Sequence, residues 1–290
     1  MCRFMLYLGA PLRLSALLLD PEHSLIHQSA HSRERREPTN GDGFGVAWYP
    51  QEGGGAPARL RFVTPAWSNA NLRAVAPVVS SGCILAHVRA ASRGFSAGEA
   101  NCHPFVSGSL AFMHNGDVGG FPRLRRALLG SLSEAAFEAI EGQTDSEHAF
   151  AVFLDHLAPA GPAPGAGELA AALERTIASL VERSRAVDGG ESYLNFAVAT
   201  GTAAAVSRFT TRDGHDGESL YYSRGRRYAC VDGVCRMLPA ESERAAVIVS
   251  SEPLSADPSW RSIPRNHVLA FELGGDADSR PLELARARPV

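Results

Sequence analysis

The sequence predicts an α+β fold of two mainly antiparallel sheets with helices on their outer sides, and two observations lead there. Short apolar runs bounded by glycine, proline or small polar residues recur along the chain, and few helix-length segments separate them. Parallel neighbours need a crossover of about a dozen residues or more, so runs this closely spaced pair most simply as antiparallel strands. At 290 residues, 45% of them hydrophobic, the chain can bury a substantial core. We find no internal repeat.

In chain order, Met5-Leu6-Tyr7-Leu8 reads as the first strand, Gly9-Ala10-Pro11 as a turn, and the segment through His31 as loop plus short helix. Asn40-Gly41-Asp42-Gly43-Phe44-Gly45 is a tight loop feeding a strand that runs to Tyr49. It is not a dinucleotide fingerprint, which needs a strand before it and a helix after. A strand at 59–64, a helix at 69–79 and a buried strand at 83–90 follow, then a strand at 110–113 that ends at His114-Asn115-Gly116-Asp117. Helices are expected at 121–132 and 133–140, and Thr144-Asp145-Ser146-Glu147 has capping-box spacing ahead of the amphipathic run 148–157. The Ala-Pro-Gly stretch 158–165 and the alanine-rich helix after it read as an insertion at about 158–190. Strands at 193–199, 203–209, 220–223, 228–238, 244–250 and 267–273 complete the pattern, with a loosely ordered tail after Gly274.

Composition removes several function classes. Net charge is −3, so nothing global points to nucleic acid or an anionic membrane, and neither is expected as a partner. All 28 basic residues are arginine, which excludes a Schiff-base lysine and a Walker phosphate loop. Arg3, Pro11 and Arg13 interrupt the apolar N-terminal segment, and no window reaches the roughly 18 apolar residues of a membrane helix. A cytoplasmic location is the expectation. Five cysteines, at 2, 83, 102, 230 and 235, are an odd count that argues against a disulfide scaffold. Cys230 and Cys235 flank a hairpin turn and face each other across it; their spacing, without a second pair, does not suggest zinc.

Cys2 is the first candidate for chemistry. If Met1 is removed, the residue carries both a thiol, whose unperturbed pKa is about 8.5, and an α-amine that titrates near about 7.7–8.0 and can act as its base. The plainer reading is a small residue opening a strand. Arg89, finishing a buried strand, is either ion-paired locally or aimed at a ligand carboxylate. Asn115 and Gly116 together can present two donors to one point, as an oxyanion hole does, although Asn-Gly is more often a turn. Asp145 is either favourable charge in a first helical turn or a partner for a ligand ammonium.

The ordered set Met-Cys-Arg-Phe, Asn-Gly-Asp-Gly-Phe-Gly, Ala-His-Val-Arg-Ala, Asn-Cys-His-Pro-Phe, Met-His-Asn-Gly, Thr-Asp-Ser-Glu-His-Ala-Phe and Ser-Glu-Pro-Leu resembles the class II glutamine amidotransferases over nearly the whole chain. Within that family it is closest to the amidotransferase-like subunits of the cytosolic glutathione-degrading complex. The γ-glutamyl hydrolases of the ergothioneine pathway are more distant. The resemblance implies a four-layer αββα N-terminal-nucleophile sandwich, with residues 1–290 as a single amidotransferase domain. It also implies Cys2 as nucleophile with its α-amine as base, Asn115 and Gly116 as oxyanion hole, Arg89 on the α-carboxylate and Asp145 on the α-ammonium of a γ-glutamyl substrate. No metal or organic cofactor is implied, and His87, His103 and His114 receive no chemical role. Asn40 stands where glutamine-dependent synthases usually carry arginine, which fits the hydrolase branch. The function so implied is a γ-glutamyl amide hydrolase working through a glutamyl thioester. The alternatives are a glutaminase subunit that supplies ammonia to a separate synthase, or a non-catalytic binding protein. A separate peptidase or synthase subunit is the protein partner the resemblance allows.

Overall fold

The computed structural model describes residues 2–34, 39–50, 55–90, 98–231, 234–238 and 245–283. The first sheet runs Arg261–Ser262 (β13), Tyr221–Gly225 (β9), Ala246–Ser250 (β12), Arg3–Arg13 (β1), Ser80–Val88 (β4), Phe44–Trp48 (β2) and Ala58–Phe62 (β3). The second runs Ala277–Pro281 (β15), His267–Glu272 (β14), Ala203–Arg208 (β8), Tyr193–Ala199 (β7), Leu110–Asp117 (β6) and Phe105–Ser107 (β5). Arg227–Val231 (β10) and Val234–Leu238 (β11) form a separate hairpin. Every strand pair among the described residues is antiparallel.

Three apolar layers hold the sheets and helices together. Phe4, Leu6 and Leu8 from β1 and Leu85 from β4 meet Ala111, Met113, Ala197 and Val206 of the second sheet, so the sheets pack face to face. Met5 and Tyr7 point the other way, onto Ser15–Leu18 (α1), Leu25–Ala30 (α2) and Ala70–Val75 (α3). The outer face of the second sheet is covered by Phe121–Leu129 (α4), Asp145–Leu157 (α6) and Ala166–Ala186 (α7), with Glu134–Glu138 (α5) against α6. The expected helix–sheet–sheet–helix order is therefore the observed one. It explains why β1 is apolar at every position from Phe4 to Leu8: a strand covered on both faces has no solvent side on which to place polar residues.

Several local expectations change. Gly9-Ala10-Pro11 does not reverse the chain; β1 continues to Arg13, and a register shift between Leu8 and Leu12 against β4 absorbs the irregular residues. His114-Asn115-Gly116-Asp117 lies inside the ladder, paired with Tyr193 to Phe196, instead of at a turn. Thr144 caps α6 by accepting from the Glu147 amide, but the Glu147 carboxylate accepts from the amides of Glu141 and Gly142, so the capping box is only half formed. The alanine-rich helix expected within 158–190 is α7, and its Leu169, Leu173, Ile177 and Leu180 are fully buried in the outer layer. The tail after Gly274 is ordered through β15, which pairs with β14; its last residues, 284–290, lie outside the described residues. Cys230 and Cys235 are joined as a disulfide across the β10–β11 hairpin, and Cys2, Cys83 and Cys102 are free. No helix among the described residues is long and apolar enough to cross a membrane.

Phe112 is the hub of the second outer layer, fully buried, with the rings of Phe150, Phe153 and Phe196 centred 5.0, 5.8 and 5.2 Å away. Phe112→Ala is expected to cost about 3–5 kcal/mol, read from urea unfolding with an unchanged slope.

Candidate active site

Strand parity brings the expected residues to one end of the inter-sheet layer. The inward row Leu8, Leu6, Phe4 of β1 extends to Cys2, the row Cys83, Leu85, His87 of β4 to Arg89, and the row Ala111, Met113 of β6 to Asn115. Each row is apolar until its last members, so the layer that glues the sheets together turns polar at this end.

The Cys2 Sγ lies 3.4 Å from the Ala90 amide nitrogen, which donates to it. Burial pushes the Cys2 thiol up; the Ala90 amide and the Arg89 guanidinium oppose this, and Asp117 adds to it. A thiol held this way needs a base before it can attack, and Met1, whose removal would free the Cys2 amine, lies outside the described residues. Arg89 is buried, its backbone bonded to Asp42 and Gly43, and its Nη1 donates to the Asp42 carbonyl at 3.4 Å. Among the described residues no carboxylate lies within ion-pair distance of it, so the local-salt-bridge reading falls away and the fork is available to an anionic ligand. The early glycine loop passes close by: Gly43 has φ +121, and a Cβ there would stand 2.7 Å from the Cys102 Sγ. Asn40, at the head of that loop, is buried with its amide bonded to the Ser29 carbonyl at 2.6 Å.

Asn115 is fully buried, and neither side-chain polar atom has a partner among the described residues. Leaving a buried amide unpaired costs about 1–3 kcal/mol, so such a group points to something it is built to meet. Next to it, Gly116 has φ +152, and a Cβ there would overlap the Tyr193 carbonyl oxygen, so the position accepts only glycine. Asp145 is buried. It opens α6, and its carboxylate accepts from the amides of Val118 at 2.8 Å and Ser146 at 2.9 Å, tying the helix to the end of β6. The Ser146 hydroxyl also lies 3.4 Å from Asp145 Oδ1, so of the about four acceptor sites of a carboxylate one is left for a further donor.

The three histidines hold this arrangement. Burial pushes the His87 ring down to about 3, so it is neutral and its Nε2 donates to the His114 carbonyl at 3.2 Å, bracing one sheet against the other one residue before Asn115. His103 stacks on His87 at 4.1 Å and is likewise held neutral by burial. The His114 Nε2 donates to the Tyr193 carbonyl at 3.0 Å, leaving its Nδ1 to face the Ser146 hydroxyl at 2.9 Å. Ser146 thereby links Asp145 to the strand that carries Asn115.

Sequence reading missed the group that seats Cys2. Arg3 is fully buried, its Nε donating to Glu252 at 2.7 Å and its Nη1 to the Cys2 carbonyl at 3.0 Å. Glu252, also buried, accepts in addition from His23, Ser32 and the Arg33 amide. Burial pushes its carboxyl up, but His23, Ser32, the Arg33 amide and Arg3 outweigh it and hold the group well below the usual carboxylate range. Ser251 completes the clamp, bonding Phe4 through both its amide and its hydroxyl at 3.0 Å. The available signal was an arginine and a glutamate each placed beside an apolar strand.

Comparison with known proteins decides the family. The sequence pattern described as glutamine amidotransferases class-II matches residues 14–208, two thirds of the chain. The chain belongs to the class II glutamine amidotransferases. It is 38% identical to the probable glutamine amidotransferase DUG3 of Saccharomyces cerevisiae, covering 94% of this chain and 82% of that one. It is 29% identical to the γ-glutamyl-hercynylcysteine sulfoxide hydrolase of Mycolicibacterium smegmatis, over 93% and 95% of the two chains. A glutamine aminotransferase class-II domain protein from Silicibacter pomeroyi superposes with a TM-score of 0.65 at 28% identity, over 97% of this chain and 99% of that one. The amidotransferase pattern begins after Cys2, so the geometry at Cys2 stands on the structure alone.

Glu252→Gln removes the nearer of the two carboxylates paired with the buried Arg3, leaving Glu218 at 3.5 Å, and is expected to cost about 3 kcal/mol in urea unfolding at neutral pH. Because the Glu252 carboxyl titrates lower in the folded than in the unfolded chain, its contribution is present above the usual carboxylate range and is lost as pH falls through its folded value. The gap between wild type and Glu252→Gln should therefore narrow as the solution is acidified.

Proposed function

We propose that this amidotransferase is a γ-glutamyl amide hydrolase with Cys2 as an N-terminal nucleophile, acting on glutathione or a related γ-glutamyl compound. The observation that carries the reading is the buried, unpartnered Asn115 amide beside Gly116, at the end of the layer where Cys2 and Arg89 also arrive. The names of the two relatives, a glutamine amidotransferase and a γ-glutamyl hydrolase, support the same substrate half.

In this mechanism the Arg89 fork pairs with the substrate α-carboxylate and Asp145 with its α-ammonium, which sets the γ-carbonyl over Cys2. The Cys2 α-amine takes the thiol proton, and the thiolate attacks the carbonyl carbon. Asn115 Nδ2 and the Gly116 amide hold the oxyanion. Collapse breaks the C–N bond, the departing amine takes the proton from the α-ammonium, and a glutamyl thioester remains. A water then gives a proton to the α-amine as it attacks, and a second tetrahedral intermediate releases glutamate and the thiol. His114 and Ser146 touch neither substrate nor reacting atoms; they position the strand end.

Asn115→Ala is expected to lower turnover of a γ-glutamyl substrate by on the order of 10²–10³ while leaving the unfolding midpoint near wild type. Near-wild-type turnover in that variant would overturn the assignment. Labelling with 6-diazo-5-oxo-norleucine should give one adduct on Cys2 in protein lacking Met1 and none in Cys2→Ala. Glutathione and glutamine as competing substrates separate the two readings of the leaving group: ammonia release from glutamine with glutathione untouched would make the chain a glutaminase serving a separate synthase. Ser146→Ala is expected to reduce kcat more than it raises KM, because it loosens the strand that carries the oxyanion donors and leaves Arg89 in place; an unchanged kcat would leave Ser146 a helix-cap residue only.

A further inference from the structure

Behind the clamp on Arg3, three histidines recur at four-residue intervals, His23, His27 and His31, on and beside α2. His23 is buried, and its Nε2 lies 2.6 Å from Glu252 Oε2. Glu252 is ionised and can only accept, so His23 donates through Nε2 and turns Nδ1 the other way. That Nδ1 is 3.2 Å from Nδ1 of His27, which is exposed, and the His31 ring stands 5.1 Å beyond His27 at a tilt of 40°.

We propose that His23 and His27 form a binding site for a late first-row divalent cation of the zinc, nickel or copper class, with His31 or water in the remaining positions. Two imidazole nitrogens 3.2 Å apart, each about 2.0–2.1 Å from an ion, subtend roughly 100° at it, between the tetrahedral and octahedral angles. His23 also has the outer partner that a metal-bound histidine commonly has, since its second ring nitrogen donates to a buried carboxylate that fixes the tautomer and raises the basicity of the first. Neutral imidazole is the preferred donor for this group of ions. Among the described residues no three side chains already converge on one point, so the pair supplies two ligands and the open side of His27 supplies access.

The charges around the pair are mixed. Burial, His23, His31 and Arg33 all push the His27 ring down from its ordinary value, with Glu22 opposing. The proton that His27 Nδ1 donates to His23 Nδ1 passes by way of solvent to the His27 Nε2 as the cation takes its place, so both rings bind as neutral imidazoles. Glu252 serves two masters in this arrangement. The carboxylate behind His23 is the one that holds Arg3, and Arg3 holds the Cys2 carbonyl, so the cation would sit three links from the candidate nucleophile.

The test is titration calorimetry of the full, untagged chain with zinc chloride and with nickel chloride in a non-chelating buffer. Wild type and Cys2→Ala should each show one saturable site, and His27→Ala, an exposed position that leaves the fold intact, should show none. In imidazole NMR spectra, nickel should broaden the His23 and His27 signals at lower concentrations than those of the other histidines. Absence of a saturable site in wild type, or a site that His27→Ala leaves unchanged or that Cys2→Ala removes, would overturn the proposal. None of these readouts depends on γ-glutamyl turnover, so the hydrolase reading can fail while this one stands, and the reverse.

Discussion

The buried pairing of Arg3 with Glu252 is the constraint on which the rest of the candidate site depends. A guanidinium with no exposed surface next to the first strand residue would be prohibitively placed without a charge partner, and Glu252 arrives from 249 residues away because β12 lies beside β1. Satisfying that pair fixes where β1 must end. The Cys2 carbonyl is then held by Arg3 and the Cys2 sulfur by the Ala90 amide, so the residue is seated from both sides. A single apolar row could not do this, since rows of leucine and phenylalanine specify depth but not axial position.

The second sheet is registered to the first by a different device. His87 crosses the layer to the His114 carbonyl, while His114 reaches back to Tyr193 and Ser146. Both sheets are therefore located by hydrogen bonds at the same end, the end where inter-sheet packing gives way to polar groups. This division suits a site built between two rigid plates: apolar side chains supply the stability, and a few buried polar contacts supply position.

Much of this order is legible in the residues. The β1 and β7 runs are apolar enough to be recognised directly, and the ordered short motifs locate Cys2, Arg89, Asn115 and Asp145 without any coordinates. What escapes a sequence reading has physical reasons. Gly9-Ala10-Pro11 carries every local mark of a turn, yet the strand on its far side keeps pairing with β4 and a bulge takes up the difference. The strands β5 and β13, three and two residues long, hold no period to detect. Ala277–Pro281 is polar because it is an edge strand, and in sequence such polarity reads as looseness. The Arg3–Glu252 pair requires knowing that the first and the second-last strands of the first sheet, in chain order, are neighbours, which is tertiary information. The alanine-rich α7 is legible as a helix, but that its leucines pack against the second sheet is again tertiary information.

The position of β1 has one more consequence, for the order of events during synthesis. β1 is a central strand whose two neighbours begin at Ser80 and Ala246. One side of β1 can pair early, but the other must wait until more than four fifths of the chain exists, as must Glu252 for Arg3. β1 is thus completed in its sheet only after its second neighbour has been made. A site built at the end of β1 is, from its place in the topology alone, among the last parts of the fold to be completed.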